Sequence, residues 1–292
     1  MYESRSGADN SRAGLVDEVV RLLGAGVGGL ITDVDGTVAP IVTEPEKAVV
    51  LAGAIEALGI LKGEIELVAV VSGRQVSDAR RMVGIAGITY VGNHGLEMLG
   101  PNGPQVIPEA RPWVPRLARV LEDVQNQVTR EGVVIENKGV TASLHYRTAK
   151  EPERARRELL EILARSALTS GLRLEEGKMV LNLLPPLTVT KGSAVTWLAR
   201  EHHLDRLVYV GDDITDAHAF KALTALRESG AMDTLSIGVV GPETPVSVRQ
   251  LADRTVPSVQ AVADLLCAAA IGLRASGTME KRRVHGRAGE SA

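Results

Sequence analysis

The sequence predicts an α/β protein: a Rossmann-like parallel-sheet core into which a smaller α+β cap, or lid, is inserted. Three observations carry this prediction. Short, largely apolar runs at 27–31, 67–71, 88–91 and 207–210 alternate with segments of helical apolar spacing. Such runs suit strands buried on both faces of a parallel sheet, with the helices as crossovers. Just past these runs stand Asp33, Ser72, Asn93 and Asp212. Ligands of such sheets bind beyond the carboxyl ends of the strands, so these residues are expected along one edge. The rhythm breaks between 106 and 186, where helix, two strands, helix, two strands describes a small open-faced sandwich.

Taken in order, residues 1–12 read as a loose polar arm and 13–105 as the first part of the core. Helical spacing over 15–23 is interrupted by glycines at 24, 26, 28 and 29. After the first strand, Pro45 and Glu46 open a helix predicted to reach Lys62, with proline in its first turn. A strand over 66–71, a helix over 76–83 and a strand over 88–91 follow. The stretch 101–115, rich in proline and glycine, marks the crossing into the cap, assigned to 106–186. There, a helix over 117–128 precedes strands at 133–136 and 140–146, joined at Asn137-Lys138-Gly139, a hairpin signal. A helix over 151–168 carries Pro152 in its first turn, and strands at 172–174 and 179–184 meet around Glu176-Gly177. Pro185-Pro186 closes the cap. The core resumes over 187–272, with helices from Lys191 to about His202 and over 214–226, 246–251 and 259–271, and strands at 207–210 and 236–240. Residues 273–292 turn polar and basic and are predicted to be a disordered tail.

A length of 292 residues allows one large domain or two ordinary ones. With 45% hydrophobic and 24% charged residues the balance is globular, and with 2% aromatics the core is aliphatic. A net charge of -3 argues against nucleic acid as a partner. The single cysteine, Cys267, cannot form an internal disulfide and reads as a buried structural thiol in a reducing, cytoplasmic setting. The first ten residues lack the apolar centre of a signal peptide, and the reading finds no apolar run of the about 20 residues that span a bilayer.

The chemistry begins at Asp33-Val34-Asp35-Gly36-Thr37. Carboxylates two apart on an extended strand point to the same side, and two such charges demand a cation or a shared proton. Gly36 lets the chain turn away at once. An ordinary surface turn is the plain alternative. Gly211-Asp212-Asp213-Ile214-Thr215-Asp216 is a second acidic cluster at a strand end. Helix capping accounts for one aspartate there, not three. Hard carboxylate oxygens of this kind suit Mg²⁺. Lys191 opens a helix, where the dipole disfavours a cation; taken alone it reads as a solvated lysine, and beside two acidic strand ends it makes sense as the holder of a phosphoryl group. Ser72, followed by Gly73 and a helix start, offers a hydroxyl and backbone N–H groups to an anion. Arg74 reads equally as a substrate contact or a surface charge.

These four pieces, in this order, resemble the four motifs of the haloacid-dehalogenase superfamily, with the insert where that superfamily carries its C2-type caps. The segments DVDGTVAPIV from Asp33, GNHGLE from Gly92, LHYR from Leu144 and GDDITDAHAF from Gly211 resemble trehalose-6-phosphate phosphatases over roughly residues 28–270. The resemblance implies Mg²⁺-dependent hydrolysis of trehalose 6-phosphate. It implies Asp33 as nucleophile forming an aspartyl-phosphate and Asp35 as acid, then base. Asp33 and Asp212, with the Asp35 carbonyl, would be metal ligands, supported by Asp213 and Asp216. Ser72 and Lys191 would hold the phosphoryl oxygens. Gly73 and Arg74 are candidate substrate contacts, and Asn93 and His94, on the core edge, could meet the sugar or the lid. Glu136, Lys138 and Arg147 match positions that contact the disaccharide, in a lid expected to close over it and exclude water. His145 is read as a packed sheet residue.

Two departures stand out. Asn182 occupies a position where the family carries Glu, with Glu176 and Lys178 as candidates to replace the missing carboxylate. Ala217 stands where Glu is usual. Asn182 keeps open a different glycosyl phosphate, such as sucrose 6-phosphate or a glycosyl phosphoglycerate. A phosphosugar mutase and a non-catalytic sugar-phosphate-binding regulator are the remaining alternatives. The expected partners are a small sugar phosphate and a separate trehalose-6-phosphate synthase, with no nucleic acid and no membrane, and the chain itself is expected as a monomer.

Overall fold

The computed structural model describes residues 12–289 apart from 101, 102, 129, 130, 178 and 243. Of the predicted N-terminal arm, residues 1–11 lie outside the described set, and Arg12 already begins the first helix. Two compact units are present: Met1–Ser72, Asp78–Val91 and Thr190–Ala292 form one, and Gly73–Ser77 with Gly92–Val189 the other. Along the chain the elements are α1 (Arg12–Gly24), β1 (Gly28–Thr32), α2 (Ala52–Leu61), β2 (Leu67–Val71), α3 (Val76–Val83), β3 (Thr89–Gly92), β4 (Glu97–Gly100), β5 (Gly103–Val106), α4 (Val114–Gln127), β6 (Val134–Asn137), β7 (Ala142–His145), α5 (Pro152–Ser170), β8 (Arg173–Gly177), β9 (Val180–Leu184), α6 (Lys191–Glu201), β10 (Arg206–Gly211), α7 (Asp216–Glu228), β11 (Asp233–Val239), α8 (Val246–Leu251), β12 (Arg254–Val256) and α9 (Val259–Gly289).

In the first unit, parallel strands run in the order β12-β11-β10-β1-β2-β3. Every residue of β1 and β2 is buried, as the unbroken apolar runs predict for strands covered on both faces. Register decides what leaves the sheet together. Thr32 lies opposite Val210 on one side and Val70 on the other. Asp33, Ser72 and Asp212 therefore come off the carboxyl edge within a residue or so of one level. The Asp33 N–H still reaches the Val210 carbonyl, at 3.0 Å, so the ladder runs right up to the carboxylates.

The second unit holds the hairpin β4–β5 and an antiparallel sheet in the order β6-β7-β9-β8. One face of that sheet is apolar. Ala142, Leu144, Leu181 and Leu183 pack with Leu117, Val124, Leu159 and Leu163 from α4 and α5. The α+β insert has the helix–strand–strand repeat that the sequence predicts.

Several elements differ from the sequence reading. No helix starts at Pro45: Pro45–Lys47 is one 3₁₀ turn, and α2 begins at Ala52. Leu51 is extended (φ -61°, ψ 135°) and its N–H is taken by the Val38 carbonyl at 2.9 Å, which stops a helix from running through. Hairpin β4–β5 occupies part of the stretch read as a crossing, and the three-residue β12 is too short to leave a pattern. Strand β8 runs through Glu176 and Gly177. Finally, α9 continues to Gly289, past 271, over most of the predicted disordered tail, where Ala, Arg, Met, Lys and Glu are good helix formers. Its segment Val259–Ser276 is 18 residues long with mean hydropathy 1.4, enough by length and apolarity to cross a membrane, which the sequence reading found nowhere. In this fold α9 packs on α1 and α2: a Cβ on Gly53 would lie 3.6 Å from Cys267 Sγ, and one on Gly24 3.2 Å from Leu273. Cys267 is half-buried and donates to the Gly53 carbonyl at 3.2 Å, a structural contact.

At the far edge of the core, Asp253 ties α7 to β11. Its carboxylate takes both guanidinium nitrogens of Arg227 at 2.9 Å, the Ser236 N–H at 2.9 Å and the Ser236 hydroxyl at 2.8 Å. Burial opposes its ionisation, but these donors outweigh it and hold the carboxyl below its ordinary range. A depressed folded-state pKa stabilises above the unfolded value and is lost as pH falls through the folded one. Asp253→Ala is expected to cost about 2 kcal/mol at neutral pH. Urea unfolding should show the gap to wild type shrinking from about pH 4 downward.

Candidate active site

The lysine comes first. A reciprocal capping box opens α6: the Ser193 N–H donates to Thr190 Oγ1 at 3.2 Å, and the Thr190 N–H to Ser193 Oγ at 2.9 Å. This sets Lys191 as the first helical residue. Its ammonium is 2% exposed and lies 3.0 Å from Asp33 Oδ1, 2.8 Å from Asp216 Oδ1 and 3.8 Å from Asp213 Oδ1. Burial disfavours its charge, but the surrounding carboxylates outweigh this and raise its pKa well above the usual lysine range.

The acidic groups divide their labour. Asp216 is fully buried and saturated: Oδ1 accepts from Lys191 and, at 2.6 Å, from the Tyr209 hydroxyl. Its Oδ2 accepts the backbone N–H groups of Asp212 and Asp213, both at 3.0 Å. Asp213 Oδ1 takes the Thr215 N–H (2.8 Å), the Thr215 hydroxyl (2.7 Å) and the Asp216 N–H (3.0 Å), closing the turn that opens α7. Burial would lift its pKa, but Lys191 and these donors hold it well below the carboxylate range. Asp212 is held by the Thr37 hydroxyl at 3.0 Å. Burial, then its acidic neighbours Asp216 and Asp213, push its pKa up to about 7. Asp33 is raised too, by burial above all, against the pull of Lys191.

A turn brings these groups together. After β1 the Val38 and Ala39 N–H groups fold back onto the Val34 carbonyl at 2.9 and 2.8 Å. Gly36 sits in the left-handed region at φ 80°, and a Cβ there would lie 2.1 Å from Asp212 Oδ2. Only glycine allows the first loop this close to the second acidic cluster.

Oxygens of Asp33, Asp212 and Asp216 lie within 4.8 Å of one another, close enough for one ion. Both Asp216 oxygens already have two donors each, so the groups better placed to ligate are Asp33 and Asp212. One ammonium faces four carboxylates. That surplus negative charge, on hard oxygens, fits a divalent cation such as Mg²⁺. Asp35 lies two residues past Asp33, in a short bridge with Ala39.

The anion cradle expected at Ser72 is partly spoken for. The Ser72 N–H donates to the Val91 carbonyl at 2.9 Å, continuing the ladder, and the first helical N–H of α3, at Val76, is capped by Glu97 at 2.9 Å. The hydroxyl side chain, buried at the carboxyl end of β2, is what Ser72 brings to this edge.

In the second unit the predicted contacts separate into groups. Asn93 is fully buried, and its amide is fully used. It donates to Glu97 Oε2 and to the Lys138 carbonyl, both at 3.1 Å, and accepts from the Thr141 hydroxyl at 2.6 Å. It is a latch on the 137–141 turn, not an open sugar contact. Asn93 and His94 both have left-handed backbones (φ 49° and 58°), and the His94 ring lies where a Cβ on Gly73 would be, 2.5 Å away. The Arg74 carbonyl accepts the Asn93 N–H at 2.8 Å.

Register places Glu136, Ser143, Asn182 and Glu175 in one row across the sheet, on the face away from the apolar core. Ser143 donates to Asn182 Oδ1 at 2.8 Å. His145 shares this face, with Nε2 3.1 Å from Glu136, so it is not the packed residue expected. Lys138 lies 3.5 Å from Glu136. Burial opposes ionisation of Glu136, but His145 and Lys138 outweigh it and lower its pKa. Arg147 is exposed just past β7. Glu176 is on the opposite face: Arg156 of α5 clamps both its oxygens at 2.6–2.9 Å. The carboxylate beside Asn182 is therefore Glu175, missed by the sequence reading because one residue of register decides the face. Lys178 lies outside the described residues.

The fold, a parallel sheet with an inserted antiparallel cap, is shared with a haloacid dehalogenase-like hydrolase from Bacteroides thetaiotaomicron, with a TM-score of 0.56 at 12% identity, over 82% of this chain and 98% of that one. A family model described as trehalose-phosphatase matches residues 31–253, and the chain belongs to that family. A trehalose-phosphate phosphatase of Mycobacterium marinum is 31% identical over 238 residues, covering 76% of this chain and 60% of the relative. One from Mycobacterium avium is 36% identical over 200 residues, covering 65% and 50%. The chain thus spans 50–60% of the length of these curated relatives. The C-terminal domain of the Candida albicans trehalose-6-phosphate phosphatase shares the fold, with a TM-score of 0.72 at 19% identity, over 89% of this chain and 97% of that one.

Asn93→Asp turns an amide donor into an acceptor facing the Glu97 carboxylate and the Lys138 carbonyl. It is expected to cost about 2–3 kcal/mol and to speed amide exchange at Val140 and Thr141. Unchanged exchange at both positions would refute the latch.

Proposed function

We propose that the chain hydrolyses trehalose 6-phosphate to trehalose and phosphate. The observation that carries this reading is the buried contact of Lys191 with Asp33, 3.0 Å, among a surplus of carboxylates at the carboxyl end of a parallel sheet. Family membership and the names of the mycobacterial relatives support the substrate.

In this reading an Asp33 oxygen attacks phosphorus and the bond from phosphorus to the sugar oxygen breaks. Asp35, as general acid, gives a proton to the leaving oxygen. It then takes a proton from the water that attacks the aspartyl-phosphate, freeing Asp33 and releasing phosphate. Lys191 and the Ser72 hydroxyl hold the equatorial phosphoryl oxygens throughout, since such a transition state needs positioning and charge neutralisation. Asp33, Asp212 and the Asp35 carbonyl would hold Mg²⁺, which would add to the neutralisation of that charge. The sugar is read by the polar face of the second unit, through Glu136, Lys138, Arg147 and Asn182, with Glu175 in the place first given to Glu176.

The test is phosphate release from trehalose 6-phosphate, sucrose 6-phosphate, glucose 6-phosphate and a glycosyl phosphoglycerate, with Mg²⁺ and with EDTA. Release from trehalose 6-phosphate, abolished by EDTA, is expected. Preference for another sugar would overturn the substrate, and no release from any would overturn the phosphatase. Asp33→Asn should lower kcat by at least about a thousandfold, whereas Glu136→Ala should act mainly on KM, by about tenfold.

A further inference from the structure

Tyr209 is an unusual guest on β10. It is fully buried, in a chain whose aromatics are only 2% of residues. Its ring packs edge-on against Phe220 of α7, centroids 5.9 Å apart at 81°. A phenylalanine would fill that space equally well. The hydroxyl is the part that packing does not explain, and it is spent on one acceptor, Asp216 Oδ1, at 2.6 Å. The same oxygen accepts from Lys191 at 2.8 Å, and Lys191 in turn lies 3.0 Å from Asp33.

We infer that Tyr209 is a positioning residue for Lys191, acting through Asp216. Asp216 Oδ2 is pinned by two backbone N–H groups, which fixes the carboxylate at one end. The two donors on Oδ1 approach from different elements, β10 and α6, and share its lone pairs. With both present, the Asp216 oxygen is satisfied without drawing the ammonium fully onto itself. Nζ stays between Asp216 and Asp33, where the proposed reaction needs it. Without the phenol, a buried oxygen with a vacant lone pair competes with Asp33 for the lysine. An ammonium displaced by a fraction of an ångström would still bind anions but would hold the phosphoryl group off line. Such misplacement is costly in catalysis.

The inference rests on the phosphatase reading for its kinetic consequence, but not for its structural one, so two readouts separate them. In the full-length chain, Tyr209→Phe should lower kcat for the substrate found in the panel by about tenfold while KM moves less than about twofold. The double variant Tyr209→Phe/Asp216→Asn should be no slower than Asp216→Asn alone, because the hydroxyl acts only through that carboxylate. Additive losses would mean a general packing role and would overturn the proposal. The second readout needs no substrate. The Lys191 ammonium resonance, assigned in ¹⁵N-lysine-labelled protein by its loss in Lys191→Arg, should shift and broaden in Tyr209→Phe. It should stay in place in Arg227→Lys, a remote variant of the same unit. If wild type releases no phosphate, the phosphatase reading falls and the resonance alone decides. An unmoved resonance in Tyr209→Phe overturns the positioning role.

Discussion

One buried ammonium governs the active end of this molecule. Moving a lysine charge out of water costs several kcal/mol unless carboxylates and hydrogen bonds surround it. Lys191 is met by Asp33, Asp213 and Asp216 within 4 Å. The elements around it can be understood as the means of holding that arrangement. Parallel register delivers Asp33 and Asp212 to one edge, a capping box starts α6 at the lysine, and a glycine turn lets the first loop approach the second acidic cluster. The carboxylates outnumber the lysine, an excess of charge on hard oxygens that suits a divalent cation.

The six residues from Gly211 to Asp216 show how one motif does three jobs. Asp212 faces the first loop, Asp213 closes the turn into the next helix, and Asp216 turns inward as a fixed counter-charge. The different environments drive the pKa values of neighbouring aspartates apart, with Asp212 pushed up to about 7 and Asp213 held well below the carboxylate range. Gly211 belongs to the same device, since a Cβ there would lie 2.3 Å from the Asp216 carboxyl carbon.

The second unit solves a different problem. Its sheet buries leucines on one face and shows a polar row on the other, so the make-up of that row rests on register. Glu136, Ser143, Asn182 and Glu175 are neighbours only because four strands pair as they do. Asn182, read from the sequence as standing in for a carboxylate, has a serine hydroxyl on its amide oxygen and a glutamate one strand away. The chemistry of this face therefore differs from a single substitution read in isolation.

By itself the sequence determined the architecture and the identity of the central groups. Unbroken apolar runs mark strands buried on both faces, and the carboxylates and serine just past them leave the sheet at one edge. Local signals also placed the hairpin at Asn137-Lys138-Gly139, where the Gly139 N–H caps Asn137 Oδ1 at 2.9 Å. The tertiary structure decided what depends on partners distant in the chain. Asn93 became a latch because Thr141, 48 positions on, occupies its amide oxygen. Glu176 went to Arg156, and Glu175 to the polar row, because strand pairing chooses the face. Tyr209 acquired its role only when α7 brought Asp216 over β10. Periodicity and motif are properties of neighbours along the chain, whereas the occupancy of a lone pair depends on whichever group packing brings to it.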